Sequence, residues 1–161
     1  ARRTNLETST ECVLIAWWNL LTVDPDFNAT WRESTFPGGC AHACELETSL
    51  YLYLDEDGVR KDRIKNHIST VTKDNPYMWV DLHGSGAAAL TSWTSSYSAR
   101  GVIGEPEFAT KEKGEKIYNE GVRQLDAIVK YFRDRPKDVR VRHQRSKPDM
   151  RMPWNQNDIE E

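Results

Sequence analysis

Three cysteines among 161 residues are too few, and odd in number, to build a disulfide framework. They read as reduced thiols, and a cytoplasmic location is expected. A basic surplus is missing as well: 22 Lys and Arg stand against 25 Asp and Glu, for a formal charge of -3. That balance argues against a nucleic-acid binder or a membrane-surface protein. Long apolar runs are absent. The longest, Val13 to Trp18 and Gly86 to Leu90, fall far short of the roughly 18 residues that cross a bilayer. No basic stretch leading into an apolar one opens the chain, so no secretory signal is read. Aromatic residues, by contrast, are plentiful. Six Trp, six Tyr and four Phe are more than a disordered segment carries. The length predicts one compact domain, or slightly less than one plus an arm.

Residues 1–11 are polar, lack periodicity and read as a lead-in. Cys12 to Trp18 is an unbroken apolar run, which predicts a central strand buried on both faces, as in a parallel sheet. Trp17 and Trp18 then lie at its carboxyl end, where open α/β sheets bind ligands, and alternation sends one of the pair to the core. Asp24 to Cys40, with two prolines and adjacent glycines, predicts a long functional loop. From His42 to Leu54 the spacing of Leu46, Leu50 and Tyr53 predicts a helix entered from Gly38-Gly39 and stopped by Gly58. Residues 77–82 read as extended. Ala109 to Phe132 carries Ile117, Leu125, Ile128 and Phe132 at helical spacing, with Pro136 beyond. The domain therefore spans 12–132, followed by an arm over 133–161. Arg133 to Arg151 holds eight Lys or Arg against three Asp, and Met150, Met152 and Trp154 suit an arm laid on an acidic neighbour rather than a solvated tail.

The densest local signal runs from Gly38 to Ser49. A glycine turn delivers His42 to the start of a helix, and Glu45 and Glu47 follow. The macrodipole there disfavours a protonated imidazole, and a nearby carboxylate can orient the ring, as a general acid/base needs. The plainer reading is a helix start whose acids suit the positive dipole end. Cys40, His42 and Cys44 are good zinc ligands in type, but C-x-H-x-C is not a usual structural spacing and only Cys12 remains as a fourth thiol. His83-Gly84-Ser85-Gly86 lacks the Lys-Ser/Thr of a phosphate loop and reads as backbone turning.

The block His42-Ala43-Cys44-Glu45-Leu46-Glu47-Thr48-Ser49 resembles the His-Ala-Gly-Glu-x-Glu-Thr-Ser signature of the creatininase family, with Cys44 at the usual glycine. Gly101-Val102-Ile103-Gly104-Glu105-Pro106, then Ala109-Thr110 and Glu112-Lys113-Gly114, resembles that family's Gly-x-x-Gly-x-Pro and Ala-x-x-Glu-Lys-Gly segment. The resemblance covers about Cys12 to Phe132. It implies a three-layer α/β/α fold with a mostly parallel sheet, and hydrolysis of a non-peptide C–N bond in a cyclic amide or formamide by a pair of divalent ions, zinc or manganese. His42 matches the proton-transferring histidine, Glu47 the carboxylate behind it, and Trp18 an aromatic that packs on the substrate. Trp17 and Cys44 are further candidates for the substrate wall, and Glu45 takes a supporting role. At Gly38, creatininase itself has a pocket tryptophan.

The family's metal ligands lie in Glu-x-His-Gly-x-His, in a following Asp and in Gly-His-x-x-Asn/Glu, and none of these motifs occurs here. The four histidines are His42, His67, His83 and His143. The chain therefore resembles the C-terminal part of a family member. No metal ligand is expected in it, and a second polypeptide is expected to complete the sheet and supply the ions in a homo- or hetero-oligomer. The rival reading is a non-catalytic structural subunit; a peptidase-like or ring-opening hydrolase is the further alternative.

Overall fold

The computed structural model describes residues 1, 4–5, 10–69, 71, 75–89 and 92–136. Most of the expected basic arm, with Met150, Met152 and Trp154, lies outside the described residues. Two helices dominate. α1 runs over Glu45–Leu54 and α2 over Lys111–Asp134. The short strands are β1 (Cys40–His42), β2 (Val80–Asp81), β3 (Gly84–Ser85) and β4 (Ile103–Gly104).

The expected central strand is not formed. Residues 11–16 have no regular structure, and Trp17–Thr22 is a 3-10 helix that buries Leu20 and Leu21. An apolar run has the same pattern in a buried strand and in a packed helical turn, and length alone could not separate them. Val13 is 48% and Leu14 89% exposed, so the run is not covered on both faces. Nor is a mostly parallel sheet present among the described residues: β1 pairs antiparallel with β4, and β2 antiparallel with β3. β2 and β3 are joined by a two-residue turn, which only antiparallel strands allow. β1 cannot lengthen, because Ala43 next to it has a φ of 48°.

α2 forms where the 3.6-residue spacing predicts it, with Thr110 Oγ1 accepting from the Lys113 amide at 3.2 Å as its cap. α1 begins three residues later than expected. Left-handed Ala43 and extended Cys44 keep the chain out of a helix until Glu45. The two helices meet backbone to backbone at Gly114, where a Cβ would stand 2.0 Å from the Ser49 carbonyl oxygen. Gly114→Ala must therefore push α2 off α1. A loss of about 3 kcal/mol is expected, the upper range for overpacking; denaturant titration checks it, and an unchanged midpoint contradicts the contact.

The core comprises Leu21, Trp31, Cys40, Cys44, Leu46 and Ile117, with Trp17, Phe27 and Leu82 packed against it. It sits between the two helices and β1, so the loop carrying His42 is anchored at its base by Cys40 and Cys44.

On the far side of β1, the β2–β3 turn holds His83. Neither of its ring nitrogens has a hydrogen-bond partner among the described residues. Burial pushes its pKa below the ordinary 6.5; Asp81 opposes that and Arg32 adds to it. The unfolded chain thus takes up the proton more readily than the folded one. Stability should fall as pH drops through about 6.5, with the loss complete once the folded imidazole also protonates. Denaturation midpoints between pH 7.5 and 5.5 should slope less in His83→Asn; identical slopes would refute the assignment.

Candidate active site

Hydrogen bonds between six residue pairs build the loop that presents His42. Arg32 clamps Asp81 with two hydrogen bonds, 2.9 and 2.7 Å, and Asp81 also accepts from the Gly38 amide at 3.0 Å. Desolvation pulls the guanidinium pKa down, but the hydrogen bond and charge of Asp81 outweigh it and raise the value. Leu82 N donates to the Cys40 carbonyl at 2.7 Å, tying β2 to β1. Glu105 accepts from the Thr35 amide at 2.6 Å and donates its own amide to Gly39 at 2.8 Å. Gly104 exchanges two further hydrogen bonds with His67, and its φ of +145° suits glycine.

Glu45 closes the frame from below. Its carboxylate is fully buried, accepts from the Glu33 and Ser34 amides at 3.1 and 2.8 Å, and meets Lys113 Nζ at 2.5 Å. Lys113 reaches Glu33 as well, at 2.6 Å. Burial lowers the ammonium pKa, and the hydrogen bonds to Glu33 and Glu45 more than restore it, leaving it raised. The two sequence blocks that lie far apart in the chain are thus braces of one loop: Glu45 and Ser49 receive Lys113 and Gly114, and Gly39 receives Glu105.

Above this frame lies an open cleft of about 810 Å³, whose lining includes His42, Glu47, Tyr51, Arg60, Arg63 and Arg100. His42 is exposed and reaches the cleft rather than a dry interior. Glu47 shares the cleft but turns its carboxylate to the Cys44 amide, at 3.4 Å, and to the Cys44 thiol, at 3.8 Å. No hydrogen bond joins it to the His42 ring among the described residues. Ala43, between them, holds the left-handed conformation at φ 48°, a strained state for a residue with a side chain. That strain redirects the chain so that His42 faces out while Cys44 faces in.

The other expected site residues are elsewhere. Cys44 is fully buried with its sulfur 3.0 Å from that of Cys40, and it does not line the cleft. The hydrogen bond to Cys44, with burial and its charge, raises the Cys40 thiol pKa, so Cys40 remains a protonated thiol. Trp17 packs on Gly121 of α2 and meets Trp18 edge to face, with centroids 6.3 Å apart. Neither indole lines the cleft. No group of three or more His, Cys, Asp or Glu among the described residues is arranged to hold a metal ion. The C-x-H-x-C trio does not form one because Cys40 and Cys44 point into the core and His42 away from it. Sequence reasoning missed Arg60, Arg63 and Arg100; the only signal was the spacing of three between the first two.

The family model for creatininase, described as creatinine amidohydrolase, matches residues 1–129. The mycofactocin precursor peptide peptidase of Mycobacterium tuberculosis (strain CDC 1551 / Oshkosh) is 32% identical over 91 residues, 56% of this chain and 32% of that protein. The protein of the same name from Mycolicibacterium smegmatis is 29% identical over 109 residues, 67% of this chain and 40% of its own. The chain thus spans well under half of the curated relatives it matches. Among solved structures, a mutant creatininase complexed with creatine superposes with a TM-score of 0.53 at 22% identity, over 81% of this chain and 47% of that one. A second creatininase mutant gives 0.52 at 23%, over 81% and 46%. These likenesses show the fold, which is of the α/β kind. Among the described residues no helix is long and apolar enough to cross a membrane.

Proposed function

The chain belongs to the creatininase family, and from that premise we propose that it is one part of a metal-dependent amidohydrolase completed by a second polypeptide. The observation that carries the proposal is the placing of His42 and Glu47 in one solvent-open cleft, held up by the braces that the family-like blocks supply. In this reading zinc or manganese ions are held by the complementary polypeptide. Divalent ions in such a site polarise a carbonyl and lower the pKa of water. The task of this chain is proton handling. His42 donates to the leaving nitrogen of an amide, from a ring that the left-handed Ala43 turns outward. Glu47 acts through the turn, fixing the Cys44 amide and with it the approach of His42.

Support for a partner comes from uncovered apolar surface. Tyr118, Val122, Leu125 and Val129 repeat at helical spacing along α2 and are 41, 48, 40 and 62% exposed. The matched creatininase chain is about twice the length that this chain covers, since the match takes 47% of it. The relatives named as precursor peptide peptidases favour a second reading, in which the amide is a peptide bond rather than a cyclic amide or formamide.

Purification of the protein with whatever accompanies it, followed by denaturing mass spectrometry and an amide-hydrolysis assay, tests the proposal. A second polypeptide is expected beside the 18.6 kDa chain, with hydrolysis lost to a chelator and regained on adding zinc or manganese. An active, metal-loaded preparation of the 18.6 kDa species alone excludes the partner. A complete, metal-loaded complex that hydrolyses no amide leaves only the role of a structural subunit.

A further inference from the structure

The described arginines divide into two sets. Arg32, Arg123, Arg133 and Arg135 each pair with a carboxylate: Asp81, Glu120, Asp134 and Glu11. Arg60, Arg63 and Arg100 pair with none among the described residues, and all three line the His42 cleft. Their convergence follows from local structure. Arg60 caps and Arg63 ends the single 3-10 turn Lys61–Arg63, closed by the Arg63 amide on the Arg60 carbonyl at 2.9 Å. A turn this short keeps the two residues close, and both line the cleft. Lys61, between them, is drawn off to Glu56 at 2.5 Å. Arg100 arrives from the segment before β4, which is held by the Ser98 hydroxyl on the Val102 carbonyl at 2.6 Å.

Three guanidiniums without a carboxylate partner among the described residues, lining one cleft, favour an anion there. The carboxylates native to the cleft do not serve: Glu47 is engaged with Cys44, and Asp62 makes no ion pair among the described residues. We propose that Arg60, Arg63 and Arg100 bind a carboxylate of the substrate, so that the amide taken by this site also carries a free acid group. The planar fork of arginine matches a carboxylate in two parallel hydrogen bonds. A phosphate dianion has similar geometry but brings a second negative charge into a cleft that Glu47 and Asp62 also line, and so a singly charged group fits better. A volume of about 810 Å³ admits an N-acyl amino acid or a short peptide end. This deepens the function proposed above and rests on His42 working in the same cleft.

Isothermal titration of the purified complex with N-acetylglycine, N-acetylglycinamide and inorganic phosphate tests it. The acid should bind saturably and at least about tenfold more tightly than the amide, with phosphate weaker than the acid. Arg63→Gln should weaken the acid about tenfold and leave the amide unchanged, while Arg63→Lys should lie between. Arg63 is exposed and unpaired, so folding is not at stake, and a thermal midpoint confirms that. Absence of saturable acid binding, equal affinities for acid and amide, preference for phosphate, or an Arg63→Gln protein that binds as before overturns the proposal. His42→Ala separates the two readings. If it hydrolyses amides normally while Arg63 still selects the acid, proton transfer by His42 is wrong and carboxylate recognition stands. If it is inactive and no acid preference exists, the reverse holds.

Discussion

His42→Ala should lower kcat on the complex's amide substrate by roughly two to four orders of magnitude, the contribution of a positioned general acid. The metal content should not change. The first outcome follows from where the ring lies, exposed in the cleft and bonded to no neighbour among the described residues; the second follows from the proposed role in proton transfer. Deleting it leaves no buried group unpaired, so the fold should survive and the effect should fall on the chemical step. Glu47→Gln is the informative companion. Its carboxylate is tied to Cys44 rather than to the imidazole, so its loss should act by loosening the turn and be milder than the loss of His42. Metal content by emission spectroscopy and kcat measured on one preparation decide the matter. Metal lost along with His42 would make the histidine a ligand, and an unchanged kcat would remove it from the chemistry.

How much of this could be read along the chain differs from element to element. α2 was plain, since Ile117, Leu125 and Ile128 repeat at helical spacing over a segment with no competing pattern. α1 was legible in its body but not at its start. The left-handed φ of Ala43 leaves no mark in composition, because alanine is ordinarily the best helix former. Val13 to Trp18 misled for the opposite reason: an apolar run suggests a buried strand, but Val13 and Leu14 are exposed and the buried residues, Leu20 and Leu21, lie beyond the run in a 3-10 helix. His42 and Glu47 stand out in the Gly38 to Ser49 block and take their roles from the resemblance, and their common cleft needed coordinates. The arginines left only the spacing of three between Arg60 and Arg63, because an unpaired cation is defined by the absence of a neighbour, and neighbours belong to space. Cys44 shows the limit on the site itself. Next but one to a functional candidate, it is carried into the core by the same turn that carries His42 out.

The largest effect on stability should come from Lys113→Met. The mutation leaves the fully buried Glu45 carboxylate without its cation, and breaking a buried pair from one side costs about 3–5 kcal/mol. In a chain of 161 residues that amounts to a fall in Tm of roughly 10 °C. The Glu33 and Ser34 amides still reach Glu45, so the lower part of that energy range is the better expectation. Lys113→Arg should recover much of the loss by keeping the charge. The pH dependence gives a sharper check. The Lys113 pKa is raised above 10.5 in the fold, so the stabilisation is fully present below 10.5 and is lost only as pH climbs through the higher folded value. The deficit of Lys113→Met relative to the parent should therefore stay constant from pH 7 to 9 in guanidinium titrations. A deficit that vanishes within that window would mean the ammonium is not charged in the fold. The brace between the two sequence blocks would then be packing alone.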